Sequence, residues 1–337
     1  MPGHLPLLRS AFLMGAILVV LGGAAALVQY LFHGRGPESA AAARLDGEAK
    51  DAGAKDAPAP PPPVAAAQAS GVCRVAAAPV PLPADAAEAS GVAAGRRTAG
   101  VLWTHNDSGD PLLLAVGTDG SARGRVRVDG ASVEDWEDVA AGPCPAGSCL
   151  YVADIGDNKA ERQRITVYRV AEPAPADPQT ARAEALHATY PDGAHDAEAL
   201  FVLPDGGVYV VTKGETGPIA LYRFPQPLRP GATARLEKVR DLQDSQMKRR
   251  ERITGASASA DGRWVALRTL ETISIYPARE FVAGTAAQPL RIDLRGLNEA
   301  QGEGVGFGAD GTVYLTSEGG RKNKPGTLAR LTCELPG

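Results

Sequence analysis

The chain has 337 residues, and its first seventy differ so much from the rest that about 267 remain to fold, enough for one large domain or two ordinary ones. Thirty-five Lys and Arg against 39 Asp and Glu leave a net charge of −4, without the basic excess of a nucleic-acid binder. Thirty-nine glycines and 27 prolines, scattered among short alternating apolar runs, speak against a helical bundle and for many strands joined by turns.

In chain order, residues 1–9 read as a cytoplasmic amino terminus and 10–32 as a transmembrane anchor or signal segment. No side chain from Ala11 to Val28 is more polar than glycine, and no charge appears between Ser10 and Phe32. About 22 helical residues span the roughly 30 Å hydrocarbon layer. A signal peptide's apolar region is usually only about 7–15 residues, so the length favours an uncleaved anchor, while Ala24-Ala25-Ala26 leaves cleavage open. Arg9 before the span and Arg35 and Arg44 after it nearly balance and do not fix the orientation. Residues 33–70, rich in Ala and stiffened by Pro58 and Pro60 to Pro63, form a spacer that cannot bury a core.

Cys144 and Cys149 flank the tight turn GPCPAGSC, whereas Cys73 and Cys333 stand at the two ends of the folding region. Their number and placement predict two disulfides and hence an oxidising compartment. Zinc is the weaker alternative, because no histidine accompanies the outer pair. The expectation is a single-pass protein of the cell membrane with residues 71–337 on the periplasmic or extracellular side.

Within 71–337 five segments repeat one pattern: a small-residue strand, a turn that is often Asp-Gly, then an apolar strand ending in polar residues. They begin at Ala89, Trp136, Ala197, Thr254 and Gly302. Aligned on Ser90, Glu137, Glu198, Gly255 and Glu303, they recur at the spacing of propeller blades. Third strands follow at Ile165–Val170, Ile219–Phe224 and Ile273–Tyr276, and a fourth at Ala234–Leu242. The prediction is an all-β propeller of four-stranded antiparallel blades, five by this count with a degenerate sixth left open. The fifth repeat lacks an outer strand. Val72–Val80 supplies it and closes the ring, which sets Cys73 beside Cys333. The extra length around Ala171–Pro191 reads as an insertion.

First strands line a propeller's channel, so Glu137, Glu198 and Glu303 face one another. Converging carboxylates repel unless protonated or met by a cation. With Asp154 they form the candidate metal set, calcium first and magnesium behind it. The alternative is that each glutamate bonds a neighbouring blade's backbone. A second ring aligns Asn106, Asp154, Thr212, Arg268 and Ser317 at the ends of the second strands, beside Asp107, Asp157, Asn158, Lys213 and Glu318. Strand alternation aims about half of these at the channel mouth. Arg268, Lys213 and Arg252 are candidates for holding a phosphate or carboxylate, and the run Lys248 to Arg250 reads as a solvated loop. His195, just before an inner strand, is a candidate mouth residue. No G-x-S-x-G, H-E-x-x-H or Walker A sequence occurs.

Taken together, HNDSGD (105–110), DWEDVA (135–140), ADIGDN (153–158), HDAEAL (195–200), ITGASASADG (253–262), QGEGVGFG (301–308) and TSEG (316–319) carry a resemblance. The chain after residue 85 resembles exported bacterial propeller proteins labelled WD40-like or TolB-like. Residues 197–213 and 303–319 are distantly similar to the esterase-like phytase-type propellers. That second resemblance implies calcium and phosphate-ester hydrolysis, although phytase propellers have six blades and their metal-binding runs are not reproduced here. Three functions are therefore expected in order: ligand binding at the channel mouth through calcium, a metal-dependent phosphoesterase, and an envelope scaffold.

Overall fold

The computed structural model describes residues 71–336 except 287 and 321–323. The expected amino-terminal piece, span and spacer lie outside the described residues, among which no helix is long and apolar enough to cross a membrane.

Five sheets form five blades. Blade 1 comprises Ala89–Ala94, Val101–Asn106, Leu112–Gly117 and Ala122–Arg127. Blade 2 comprises Trp136–Cys144, Gly147–Asp154, Ile165–Ala171 and Glu184–Thr189. Blade 3 is Ala197–Val202, Val208–Thr212, Ile219–Arg223 and Glu237–Gln243. Blade 4 is Ile253–Ala258, Trp264–Thr269, Thr272–Pro277 and Leu290–Asp293. Blade 5 is Gln301–Phe307, Thr312–Glu318, Thr327–Glu334 and, from the other end of the chain, Val72–Pro81. Neighbouring strands within these four-stranded sets pair antiparallel.

Local chemistry explains the turns. In the hairpins at Gly120, Gly206, Gly262 and Gly311 the glycine has φ between 71° and 84°, which a side chain disfavours. The aspartate before each glycine accepts the N–H two residues on, as from Ser121, Gly207, Arg263 and Thr312. Between blades, flat apolar faces pack into shared clusters: Trp103 with Trp136, Tyr151 with Tyr222, Phe201 with Phe281, Ile275 with Leu315, and Leu102 with Tyr314. Burying each such side chain contributes roughly 1.5–3 kcal/mol.

Closure follows the sequence reading. Val72–Pro81 pairs with Thr327–Glu334, Cys73 lies opposite Cys333, and a disulfide joins them across 260 residues. Constraining so long a loop is worth roughly 5 kcal/mol by chain entropy. Cys144 and Cys149 are joined across the hairpin between the first two strands of blade 2.

Two boundaries differ from expectation. Ala234–Leu242 is not one strand: Thr233–Arg235 runs parallel to the outer strand of blade 2, and Glu237–Gln243 enters blade 3. The supposed insertion contains blade 2's own outer strand, preceded by a loop that reaches back to blade 1, where Thr180 N–H donates to Arg127 O at 2.8 Å.

Candidate functional site at the channel mouth

In every blade the pairing of the first two strands breaks register near the mouth, after one residue pair in blades 1 to 4 and after two, Gln301 with Glu318 and Gly302 with Ser317, in blade 5. The last pairs before the break are Ala89 with Asn106, Trp136 with Asp154, Ala197 with Thr212, Ile253 with Thr269, and Gly302 with Ser317. The bulge re-aims the following residue. Ser90, Glu137, Glu198, Thr254 and Glu303 accordingly line a single cavity of about 280 Å³. The residue after each second-strand partner forms a wider ring, of which Asp107, Lys213, Leu270 and Glu318 reach the same cavity.

This register corrects the sequence alignment in blade 4. Thr254, not Gly255, is the counterpart of the three glutamates, and Thr269, not Arg268, is the counterpart of Thr212. A one-residue slip turns a strand's side chains to the opposite face. Arg268 is therefore fully buried away from the mouth. Its Nη2 lies 2.5 Å from Glu299 Oε2, and its Nη1 donates to the carbonyls of Gly304 and Thr316.

The ring Asn106, Asp154, Thr212 and Ser317 also faces away from the cavity. Asp154 accepts the N–H groups of Glu134 and Asp135 and pairs with Arg162 at 2.9 Å, so it does not join the glutamates. Asn106 donates to Asp85 O, and Asp157 accepts the N–H groups of Glu161 and Arg162. His195 lies outside the cavity as well, with Nε2 at 2.9 Å from Asp192 and 3.0 Å from Tyr222 Oη. Asn158 and Arg252 do line it, and so does Arg249, which the sequence placed in a solvated loop.

Three carboxyls escaped the sequence reading: Asp135, Asp196 and Glu215. The first two stand two residues before Glu137 and Glu198, so a D-x-E step recurs in blades 2 and 3. One oxygen each from Glu137, Asp196 and Glu198 lie within 4.8 Å of one another. Lys213 Nζ touches Glu198 and lies 3.4 Å from both Asp196 and Glu215, and Arg252 holds Glu215 at 2.7 Å. Among the described residues the Glu137 carboxyl, on a residue only 8% exposed, has neither hydrogen bond nor ion pair.

Charge crowding shifts these groups. Burial first, then Glu198, Asp135 and Glu303, pushes Glu137 well above the ordinary carboxyl range. Burial and Glu198 do the same to Glu303. Burial raises Glu198 to about 7 against the pull of Lys213. Burial and neighbouring carboxyls raise Glu318 to about 7 and Asp107 to about 6. Burial opposes the charge on Lys213, but Glu198, Asp196 and Glu137 together push its pKa upward.

Below the ring the channel narrows to a waist. The next residue in each blade is Gly91, Asp138, Ala199, Gly255 or Gly304, four of them small. Asp138 fills the space. Its carboxyl accepts the N–H groups of Val139, Leu200 and Ala256, thereby joining blades 2, 3 and 4. A Cβ on Gly91 would stand 2.5 Å from Asp138 Oδ1, which is why blade 1 has glycine there.

The donor set suits a hard divalent cation. Calcium binds oxygen at about 2.3–2.6 Å, so one ion fits among Glu137, Asp196 and Glu198, which would supply three of its six to eight ligands. The ammonium of Lys213 competes for the same oxygens.

No protein-family profile matches the chain, and no curated protein sequence matches it. Similar solved structures include the PQQ-bound aldose sugar dehydrogenase of Streptomyces coelicolor, 14% identical, with 79% of this chain and 99% of that one covered at a TM-score of 0.47. The soluble aldose sugar dehydrogenase of Escherichia coli is 10% identical over 79% and 100% of the two chains, with a TM-score of 0.45. The calcium-binding protein regucalcin of Agrobacterium tumefaciens is 14% identical over 77% and 95%, with a TM-score of 0.41. These TM-scores lie below 0.5, and the likenesses say nothing of the site.

Proposed function

We propose that the chain is a membrane-tethered, exported propeller that binds its ligand at the carboxyl-ringed mouth through a divalent cation, calcium before magnesium. Glu137, Asp196 and Glu198 would hold the ion, with Asp135 and Glu303 at hand. The observation that carries the reading is the Glu137 carboxyl, buried and unpartnered beside two others. A buried carboxylate needs a proton or a cation. Once bound, the ion would neutralise the ring and attract an anionic group, for which Arg249 and Arg252 stand in the same cavity. The apolar stretch at 10–32 supports the tether, and the two disulfides support an oxidising compartment.

The test is thermal unfolding of the purified full chain in calcium, magnesium or EDTA. A ligand of the native state stabilises it by about 2.7 kcal/mol at a hundredfold excess over Kd. The expected result is a saturable, calcium-specific rise in Tm that disappears in the Glu137→Gln, Glu198→Gln double variant. An unchanged Tm in all three buffers overturns the reading.

The two arginines beside the carboxyls also favour a second reading, a metal-dependent phosphoric ester hydrolase. The distant similarity to phytase-type propellers supports it. In that case Arg249 and Arg252 would hold the phosphoryl oxygens, and calcium would supply Lewis-acid neutralisation. Calcium-dependent release of phosphate from a simple aryl phosphate, lost in Arg252→Gln, is the expected result. Calcium binding without any turnover leaves the binding protein as the function.

A further inference from the structure

At the end of the channel opposite the carboxyl ring, one blade departs from the repeat. The turn between the first two strands is built on Asp205-Gly206, Asp261-Gly262 and Asp310-Gly311 in blades 3, 4 and 5. In blade 1 it is Gly95-Arg96-Arg97-Thr98-Ala99-Gly100. Two adjacent cations are not needed to join two strands, since the other blades turn without them.

A carboxylate from blade 2 fixes this turn. Glu172, 1% exposed, accepts the backbone N–H groups of Arg96 and Arg97 at 3.1 and 3.0 Å, the indole N–H of Trp103 at 3.3 Å and the hydroxyl of Ser148 at 2.8 Å. Its oxygens are taken up by neutral donors, while its backbone carbonyl accepts from Arg97 Nη1 at 3.0 Å. A Cβ on Gly95 would stand 2.8 Å from Glu172 Oε1, so glycine there lets the carboxyl approach. A buried carboxylate spent on backbone N–H groups holds the segment still, and the side chains this segment presents are two arginines.

Both arginines line the cavity of about 890 Å³ at the lower end, together with Arg330 from blade 5. Asp310 is the one acidic residue among the described residues lining it, and its carboxyl accepts the N–H of Thr312 in its own turn. Behind the arginines the walls are apolar: Ala94, Ala141, Val202, Ala258 and Phe307, one from each blade. Arg96 is exposed as a residue, yet partial desolvation of its guanidinium lowers its pKa in spite of Glu172 and Tyr151 nearby. A cation withdrawn from water attracts an anion more strongly than one in water. The volume falls within the roughly 300–1,000 Å³ of small-molecule sites, which are likewise apolar with a few converging polar groups.

We infer that the lower end of the channel binds a small organic acid, its apolar body against Val202, Ala258 and Phe307 and its carboxylate on the side of Arg96, Arg97 and Arg330. A guanidinium fork matches a carboxylate with two parallel N–H donors. A sugar or another fully polar ligand would leave its hydroxyls without partners along the apolar walls. The site lies at the other end of the channel from the oxygens proposed for calcium, so either assignment can fail without the other.

The experiment is calorimetric titration of the full chain with 4-phenylbutanoate. The controls are 4-phenyl-1-butanol, with the same body and no charge, and 4-phenylbutylamine, with the opposite charge. The expected result is saturable binding of the acid, at least tenfold weaker binding of the alcohol and none of the amine, with or without calcium. The double variant Arg96→Gln, Arg330→Gln should weaken the acid at least tenfold, and Ala258→Phe, which fills the apolar side, should do the same. Arg96 and Arg330 are both exposed, so their replacement leaves the fold intact; should Ala258→Phe fail to fold, the arginine pair decides. The inference is overturned if the parent does not bind the acid, if the alcohol binds equally well, or if binding survives loss of the two arginines. It is also overturned if binding requires calcium, which would put the carboxylate on the cation at the upper mouth.

Discussion

The two ends of the channel share one backbone and differ in almost everything else. At the upper end the five inner strands present Ser90, Glu137, Glu198, Thr254 and Glu303. Toward the lower end the same strands carry Ala94, Ala141, Val202, Ala258 and Phe307, which line a cavity of about 890 Å³. Between them Asp138 bridges three blades at the waist. A propeller needs small, apolar or fully hydrogen-bonded residues where its inner strands converge, and the lower end and the waist, with Asp138 bonded to three N–H groups, meet that need. The upper end gathers buried carboxyls that repel one another, which lowers stability unless a ligand compensates. The contrast sets the crowded charges at the upper mouth and the fold's cohesion below it.

The sharpest way to break this contrast is at the waist. Asp138→Ala removes the acceptor of three buried N–H groups, each costing about 1–3 kcal/mol when left unsatisfied. Urea unfolding should show a loss of about 4 kcal/mol, with Asp138→Asn, which retains one acceptor oxygen, losing less. A change under about 1 kcal/mol would mean that the waist does not hold the blades together.

Much of this architecture was legible because propeller blades repeat locally. The Asp-Gly turns, the apolar strands and the position of Cys73 against Cys333 each follow from a short stretch of sequence. The waist was not legible, because Asp138 bonds Leu200 and Ala256, 62 and 118 residues away. Its partners are backbone groups, which leave no mark in residue identity. Arg268 was misplaced for a related reason. Blade 4 has no glutamate to anchor the alignment, and matching Gly255 to the glutamates moved the second strand by one residue. The waist would have supplied the correction, since Gly91, Gly255 and Gly304 belong together. Asp135 and Asp196 were visible as a twice-repeated D-x-E step, but their meaning depends on the bulge that turns the glutamate inward.

At the mouth the expected sign is reversed. Removing charge from Glu137 and Glu303 together, as Glu137→Gln with Glu303→Gln, relieves repulsion between buried carboxyls. The cation-free protein should gain about 1–2 kcal/mol of stability, in the range of a single crowded charge interaction near a protein surface. The same double variant should respond less to calcium. A loss of stability instead would show that both carboxylates make structural bonds, as in the alternative reading of the sequence.

The smallest expected effect is the pH dependence that the mouth carboxyls add. Burial and neighbouring carboxyls raise Glu318 to about 7 and Asp107 to about 6 in the folded protein. A raised carboxyl binds its proton more tightly folded than unfolded. Its contribution to stability is therefore full below the ordinary carboxyl pKa of about 4 and is lost as pH rises through the folded value. The aspartates lowered by hydrogen bonds or arginine partners, such as Asp261 and Asp293, act in the other sense, but their contribution falls away only under acid conditions, toward their folded values of about 2. Below the ordinary histidine pKa of about 6.5 the buried His105, held down to about 4 by desolvation, opposes this slope because it is neutral only in the folded protein, so the decline in Tm of the cation-free protein should be read between about pH 6.5 and 8. Glu318→Gln should flatten the decline. A Tm that rises from about pH 6.5 to 8, above the range in which His105 titrates, would mean that these carboxyls are already neutralised by cations within the protein, and that the two ends of the channel differ less than their residues imply.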